Sequence, residues 1–159
     1  MLIAPVLVLG YGNPSRGDDA IGPILIDYLA TLDLPETELL TDFQLQVEHV
    51  LDLENRSLVL FIDAAVSQSA DIRLTSVQPQ HGDSISTHAL SPQQLLGAYL
   101  KVSAKTPPFC FLLGIKAFQF ELGDGLSSGM QHHYQQACQL LSQMLDNPCP
   151  DYWHSLTTS

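Results

Sequence analysis

The chain has 159 residues, of which 45% are hydrophobic, and it carries 6 lysines and arginines against 17 aspartates and glutamates, a formal net charge of −11 at pH 7. A chain of this length favours one domain with one core. So acidic a chain is a poor match for DNA, RNA or an anionic membrane surface, and it should attract a cation, a metal or a basic partner unless the charge serves solubility alone.

Predicted strands and helices alternate along the chain. Apolar or alternating runs that stop at glycine or polar residues predict strands at 3–9, 39–43, 57–62, 72–77 and 109–115. Helical spacing and capping residues predict helices that begin at Asp18 or Asp19, cover 47–53, run from Ser91 to about Val102, and run from Ser127 or Ser128 to about Leu145. This alternation predicts a single three-layer α/β domain over 1–145, with a mostly parallel twisted sheet and helices on both faces. Residues 146–159 are predicted to form a loose C-terminal tail.

The cysteines and the first residues bear on the compartment. Cys110, Cys138 and Cys149 are odd in number and form no Cys-x-x-Cys, which argues against a disulfide framework or a thiolate zinc site. Residues 1–10 are apolar but lack a basic leader and a cleavage signature, so we interpret them as a strand and not as a signal peptide or membrane span. A reducing cytoplasm is expected, with Cys110 as inert packing inside a strand.

The segment from Gly10 to Ser15 (GYGNPS) lies between a predicted strand and a predicted helix, as a dinucleotide-binding loop would. Two features argue against that function. Ser15 replaces the third glycine of G-x-G-x-x-G, and Asp18 and Asp19 would repel a pyrophosphate from the start of the helix. No G-x-x-x-x-G-K-[ST] motif is present, which excludes a P-loop.

Two acidic residues are predicted at the same edge of the sheet. One of Asp18 and Asp19 is explained by capping of the helix, while the other is surplus just beyond the first strand, at the edge where open α/β sheets bind ligands. Asp63 ends the buried run LVLFI, where a carboxylate needs a partner or a cation unless it caps a turn. His88, in the loop before the Ser91 helix, can reach this edge if it is not simply an exposed residue. Two carboxylates and one imidazole suit Zn²⁺, Ni²⁺, Mn²⁺ or Fe²⁺, and the donor set does not choose among them.

Other possible catalytic groups are less well placed. There is no His-Glu-x-x-His, and residues 125–129 (GLSSG) match the nucleophile-elbow pattern without the preceding buried strand, so Ser127 is predicted to cap a helix. The remaining histidines are not assigned to the site, and His132 and His133 are predicted to lie on the surface; the five are His49, His81, His132, His133 and His154.

Several blocks together resemble the maturation endopeptidases of [NiFe]-hydrogenases. The blocks occur in the right order over most of the chain, and they are LVLGYGN (7–13), GDD (17–19) with Gly22, LFIDA (60–64), STH (86–88) and FLLGI (111–115). The resemblance implies an endopeptidase that removes the C-terminal extension of a hydrogenase large-subunit precursor after nickel insertion. It also implies that two carboxylates and a histidine recognise the nickel, which the precursor supplies, so the resting enzyme can be metal-free.

The resemblance assigns these roles residue by residue. Asp19, Asp63 and His88 are the predicted nickel contacts, and Asp19 and Asp63 are also the predicted catalytic residues. In some relatives the histidine follows a Ser-Pro pair, but that position is Gln93 here, so His88 is chosen. Asn13, Asp42 and Gln44 are predicted to bind substrate, and Asn13 and the backbone amides of its loop are expected to donate to the oxyanion of the peptide. The expected enzyme is a cytoplasmic monomer whose partner is the precursor, with no nucleic-acid or membrane partner.

One block departs from the common pattern. Many members of the family carry Asp-Gly-Gly after the second strand, whereas this chain has Asp42 followed by Phe43 and Gln44. Together with FELG (120–123), this variant resembles the subgroup that serves cytoplasmic bidirectional NAD(P)-linked hydrogenases. Because glycines allow close backbone approach, their replacement should change which precursor docks, unless Phe43 only packs.

Two alternative functions stay open at this level. The same ligands could belong to a non-catalytic, metal-dependent checkpoint module that binds a metalloenzyme precursor without cutting it. A nucleotide-binding α/β protein is the other alternative, and the paired carboxylates of Asp18 and Asp19 already count against it.

Overall fold

Five strands form one sheet in the computed structural model, which describes residues 2–82 and 89–158. The strands are β1 (Val6–Tyr11), β2 (Thr37–Asp42), β3 (Leu58–Ala65), β4 (Ile72–Ser76) and β5 (Phe109–Lys116). Their order is β2-β1-β3-β5-β4; β4 pairs antiparallel with β5 and all other pairs are parallel. The predicted single α/β domain with a mostly parallel sheet is therefore confirmed.

Helices cover both faces of this sheet. They are α1 (Ile21–Ala30), α2 (Val50–Leu53), α3 (Pro92–Val102), α4 (Ser128–Asp146) and α5 (Pro150–Ser155), with 3-10 turns at Gly17–Ala20 and Val47–His49. One apolar cluster joins α1, α4 and α5 to the face that carries Val8, Leu60 and Phe111. A second cluster joins α2 and α3 to the opposite face, which carries Leu9 and Phe61. The central strands are buried on both sides, which is why they are continuous apolar runs in the sequence.

The first strand begins later than predicted, at Val6 and not at residue 3. Pro5 has no N–H to donate to a neighbouring strand, but its carbonyl accepts the N–H groups of Ser57 and Leu58. Leu2 and Ile3 are exposed and lie outside the sheet. Proline thus marks the start of β1, and the apolar residues before it do not extend the strand.

Two glycines let α1 approach the strands closely. A β carbon on Gly10 would lie 2.4 Å from the carbonyl oxygen of Gly22, and one on Gly22 would lie 2.6 Å from that of Tyr11. Both distances are shorter than any real contact of a methyl group with an oxygen. The start of α1 therefore sits against the carboxyl ends of β1 and β3, and it brings the residues just before it to that edge.

The C-terminal segment is not a loose tail, so that prediction is wrong for residues 147–158. Trp153 in α5 is 0% exposed, and its Nε1–H donates to the carbonyl of Met144 at 2.7 Å. Its ring packs edge-on against Phe111 with the centroids 5.5 Å apart. Beyond α5, the N–H of Thr158 donates to the carbonyl of Leu74 on β4 at 2.8 Å. Burial of one large indole ring outweighs the turn-forming residues that made this segment look unstructured.

We expect Trp153→Phe to lower the free energy of unfolding by about 1–3 kcal/mol, because the smaller ring leaves a cavity and the Met144 carbonyl loses its donor. Urea unfolding followed by circular dichroism measures this difference. Tyr152→Phe, a change on the partly exposed neighbour, is the control and should leave the midpoint nearly unchanged. A Trp153→Phe midpoint equal to that of the wild type would contradict the anchoring role.

Candidate active site

Asp18 is the structural member of the acidic pair. Its side chain is 0% exposed and accepts four hydrogen bonds, from the N–H of Phe118 (2.7 Å), the N–H of Gln119 (3.2 Å), and the N–H and Oγ of Ser127 (both 2.8 Å). Burial raises the pKa of this carboxyl, but the donors, those of Ser127 first, outweigh burial and hold the pKa below its ordinary value. Asp18 does not cap the helix; it ties the turn before α1 to the β5–α4 connection.

Asp19 is the surplus acid, and the glycine loop holds it. Its Oδ2 accepts the N–H of Asn13 at 2.7 Å. Gly12 has φ +147°, and a β carbon there would lie 2.0 Å from the carbonyl oxygen of Asp19. Only glycine permits this approach, so the loop after β1 is folded directly onto the residue that follows Asp18. Asp19 is only partly buried, which leaves its other carboxylate oxygen available to a ligand.

Asp63 lies at the carboxyl end of β3, close enough to Asp19 for the two charges to interact. Burial raises the pKa of Asp63 to about 7; the hydroxyl of Tyr11 and the N–H of Ala64 oppose this rise, and the negative charge of Asp19 adds to it. The pKa of Tyr11 is raised as well, by its own burial and then by Asp63 and Asp19. The two acids therefore lie at the same edge of the sheet, and the hydroxyl of the buried Tyr11 donates a hydrogen bond to Asp63.

Sequence reasoning did not single out Tyr11, although the strand register contains the signal. Gly10 pairs with Ile62 in the parallel register of β1 and β3, so the next residues, Tyr11 and Asp63, are neighbours on one face. A tyrosine at the end of a buried strand, one position beyond the last pair and beside an aspartate, is well placed to hold that carboxylate.

Asp42 lies at the end of β2, next to Tyr11 in the register, and its carboxylate closes the following loop. One oxygen accepts the N–H of Phe43 at 2.7 Å, and the other lies 3.1 Å from Nε2 of His49. Nδ1 of His49 accepts the N–H of Gln46 at 2.9 Å, so Nε2 is the nitrogen that carries the proton and donates to Asp42. His49, which the sequence left unassigned, therefore fixes the loop that carries Phe43 and Gln44.

Phe43 and Gln44 point away from the core. Phe43 is 66% exposed and Gln44 is also exposed, so the interpretation of Phe43 as a packing residue is wrong. Phe43 and Asp42 line a pocket of about 270 Å³ whose opposite wall is formed by Gly12, Pro14 and Pro23. This pocket adjoins the glycine loop, and through it the carboxylate of Asp19.

The amides of the glycine loop are already engaged. The N–H groups of Gly12, Ser15, Arg16 and Gly17 donate to the protein, as does that of Asn13. The interpretation of these backbone groups as donors to an oxyanion is therefore wrong. The side-chain oxygen of Asn13 accepts the N–H of Ser15 at 2.9 Å. This leaves the side-chain NH₂ of Asn13 as the group through which that residue can meet a substrate.

The third predicted metal contact, His88, lies outside the described residues. Within residues 2–82 and 89–158, no group of three or more His, Cys, Asp or Glu side chains is arranged to hold a metal ion. The described part of the site supplies two carboxylates, Asp19 and Asp63, whose oxygens suit a divalent cation.

Of the other sequence predictions, those for Ser127, Cys110 and His132 are confirmed and the one for His133 is wrong. Ser127 caps α4 by accepting the N–H of Met130 at 3.2 Å, which confirms that GLSSG is no nucleophile elbow. Cys110 is buried and burial raises the pKa of its thiol to about 12, as expected for an inert packing residue. His132 is exposed as predicted, but His133 is buried, with Nδ1 2.9 Å from the Lys116 carbonyl and Nε2 3.2 Å from Asp71.

The same fold occurs in solved structures of known proteins. A [NiFe] hydrogenase maturation protease HycI from Thermococcus kodakarensis KOD1 superposes with a TM-score of 0.70 at 21% identity, over 91% of this chain and 94% of that one. The hydrogenase maturating endopeptidase HybD from E. coli gives 0.69 at 23% identity, over 89% and 92%. An endopeptidase from Escherichia coli also gives 0.69, at 25% identity and the same coverage.

The fold is that of the hydrogenase maturation proteases.

No protein-family model matches the chain, and no curated protein does either. Likeness to the maturation proteases is therefore one of structure, over nearly the whole length of each chain. Among the described residues, no helix is both long and apolar enough to cross a membrane.

Proposed function

We propose that this protein is an endopeptidase that removes the C-terminal extension of a [NiFe]-hydrogenase large-subunit precursor after nickel has been inserted. Asp19 and Asp63 contact the nickel that the precursor carries, and His88 is the third contact. The resting enzyme needs no metal of its own. The precursor belongs to the cytoplasmic, bidirectional, NAD(P)-linked class of hydrogenases, and the enzyme acts in the cytoplasm as a monomer.

The observation that carries this proposal is the meeting of two carboxylates at one edge of the sheet. Burial and the charge of Asp19 raise the pKa of Asp63 to about 7, so its ionisation is incomplete at neutral pH. A divalent cation placed between them would remove both costs, because it compensates the buried charge and lowers the repulsion. The pair is therefore arranged to gain from a cation that arrives with the substrate. Proteins with this fold that are named hydrogenase maturation proteases support the choice of substrate.

Catalysis then depends on position. The nickel held by the precursor fixes the peptide with respect to Asp19 and Asp63, and proximity lowers the barrier to attack by water. Once nickel offsets the burial and repulsion that raise the pKa of Asp63, its carboxylate is ionised, and the oxygen that does not contact the metal can take a proton from that water. The side-chain amide of Asn13, on the adjacent loop, is the group that can donate to the carbonyl oxygen of the peptide.

Choice of precursor is assigned to the loop after β2. Asp42 and His49 hold this loop in one conformation, and it presents Phe43 and Gln44 to solvent at the pocket beside the glycine loop. In the proposal Gln44 contacts the precursor directly, whereas Asp42 acts through the loop that it closes. An exposed aromatic next to a small pocket is an effective anchor for a partner chain.

The decisive experiment uses the purified enzyme with purified precursor in two forms, loaded with nickel and free of nickel. We expect the loaded precursor alone to lose the mass of its extension, since without nickel the carboxylates have nothing to bind. Mass spectrometry of the intact precursor is the readout. Cleavage of both forms would contradict nickel recognition. Binding of the loaded precursor without any cleavage would identify a checkpoint module and not a protease.

A further inference from the structure

A second pocket opens beside Asp63, on the face of the sheet that α2 and α3 cover at its other end. It has a volume of about 260 Å³, and its wall includes Asp63, Gln68, Arg73, Thr75 and Gly114. The lining combines a cation with neutral polar groups, and it shares Asp63 with the candidate active site. None of the functional assignments above uses this pocket.

The strand register shows how far apart Asp63 and Arg73, the two charged residues of the pocket, lie. Asp63 on β3 pairs with Gly114 on β5, and Gly114 pairs with Arg73 on β4. The three residues therefore form one row across the sheet, with a glycine between the two charged residues. Two strand spacings separate Asp63 from Arg73 at the backbone, about 10 Å. An extended peptide covers that distance in about three residues.

Gly114 and Gln68 shape the middle of the pocket. The amide of Gln68 donates to the carbonyls of Gly114 (3.0 Å) and Ala70 (2.9 Å), which fixes the side chain over the strand. A β carbon on Gly114 would lie 2.6 Å from Oε1 of Gln68. Glycine at the centre of the row therefore leaves room for the amide of Gln68, and this amide forms a fixed polar wall of the pocket between Asp63 and Arg73.

Arg73 is the group that points to a ligand. Its residue is exposed, and across residues 2–82 and 89–158 it makes no ion pair or hydrogen bond through its side chain. The chain has only 6 lysines and arginines against 17 acids. Charged residues often protect edge strands from pairing, but next to Arg73 the Leu74 carbonyl already accepts the N–H of Thr158. A guanidinium that has no partner among the described residues of so acidic a protein can bind an anion.

We propose that this pocket is a peptide subsite in which Arg73 binds a carboxylate of the precursor, about three residues from the bond that is cut. The inference rests on the proposed function and adds a chemical requirement for the substrate. The carboxylate belongs either to an acidic side chain or to the C-terminus of a short extension. Guanidinium and carboxylate form paired hydrogen bonds in a fixed geometry, so this contact also sets the register of the peptide over Asp63.

The test compares Arg73→Gln with Lys105→Gln in cleavage of the nickel-loaded precursor. Lys105 is a matched control, since its Nζ binds Asn55 and Glu54 near the start of β3, at the opposite edge of the sheet. We expect Arg73→Gln to raise KM at least about tenfold with little change in kcat, which is the loss typical of a hydrogen bond between charged groups. Lys105→Gln should leave both constants unchanged.

Precursor variants distinguish the two sources of the carboxylate. Each Asp and Glu near the cut is changed to its amide in turn, and a separate variant gains residues beyond its C-terminus, which moves the terminal carboxylate away. One of these variants should raise KM for the wild-type enzyme as much as Arg73→Gln does, and should add nothing when combined with it. Arg73→Glu paired with a lysine at the critical acid should restore cleavage.

The outcomes separate the two proposals. An unchanged KM for Arg73→Gln, or an equal rise for Lys105→Gln, overturns the subsite while leaving the protease intact. Absence of cleavage by the wild-type enzyme overturns the proposed function, and the subsite with it.

Discussion

Asp63→Asn is expected to abolish processing of the precursor while making the protein more resistant to heat at pH 8. The substitution removes the proposed anionic contact to nickel and the proposed proton acceptor, so cleavage should fall at least about 100-fold. It also removes a carboxylate that burial and the charge of Asp19 disfavour in its ionised form. The side chain of asparagine has nearly the same shape, so the fold should be retained.

The gain in stability follows from the size of the pKa shift. The pKa of Asp63 rises from its ordinary value near 4 to about 7. At about 1.4 kcal/mol per pKa unit this limits the gain to about 4 kcal/mol. Asp63 is only partly buried, and the variant loses good contacts to Tyr11 and the Ala64 amide. We therefore expect about 1–2 kcal/mol, or about 3–6 °C in melting temperature.

The pH dependence of stability tests whether the raised pKa of Asp63 is the reason for this gain. Between pH 4 and about 7 the folded protein keeps a proton on Asp63 that the unfolded chain has lost. The contribution of Asp63 to stability therefore falls as pH rises through this window and is constant above it. Melting curves of wild type and Asp63→Asn should coincide near pH 4 and separate toward pH 8. Curves that run parallel at every pH would contradict the assignment.

The second prediction compares Asp18→Asn with Asp19→Asn. The first should mainly lower stability, and the second should mainly lower activity. At Asp18, the new amide nitrogen must replace either Oδ1, which accepts the N–H of Ser127, or Oδ2, which accepts the other three donors. In both orientations at least one buried N–H loses its acceptor. We expect a loss of about 3 kcal/mol in the free energy of unfolding, or about 10 °C in melting temperature. Asp19→Asn can still accept the N–H of Asn13 through its oxygen, so its stability should change by less than about 1 kcal/mol.

The activities of Asp18→Asn and Asp19→Asn should differ in the opposite sense to their stabilities. Asp19→Asn should lose most cleavage of the nickel-loaded precursor, whereas Asp18→Asn, assayed well below its melting temperature, should retain it. Thermal melts and mass spectrometry of the precursor, run on the same preparations, provide both readouts. Equal melting temperatures for the two variants would contradict the division of roles between the adjacent acids.

Most of the fold could be predicted because its strands and helices are locally determined. The runs at 57–62 and 109–115 are apolar throughout since parallel strands covered on both faces have no solvent side. Ser91 and Ser127 cap their helices as their positions predict. The C-terminal segment could not be predicted in this way, because α5 is held by Trp153 packing against residues far away in the sequence, and short segments carry no periodicity that reveals such contacts.

The site residues, too, were predicted only in part. Asp19 and Asp63 were predicted because the carboxyl ends of parallel strands meet at one edge, a rule that needs no side-chain detail. Residue patterns alone could not show which acid of the pair is structural, since the four donors to Asp18 come from residues about 100 positions away; the family resemblance chose Asp19 as the ligand. The roles of Tyr11 and His49 were not predicted for a similar reason. Tyr11 donates to Asp63 and His49 to Asp42, and only the folded chain brings these partners together.

The bonds made by Asp18 have a consequence for synthesis of the protein. Ser127 and the segment at 118–119 must be present before Asp18 has its partners, and Asp19 is the next residue in the chain. Contacts so distant in sequence form late, after the loop-closure entropy of the intervening chain has been overcome. On the ribosome, the candidate active site therefore cannot assemble until Ser127 has emerged, and a nascent chain that stops short of this residue leaves Asp18 without its partners.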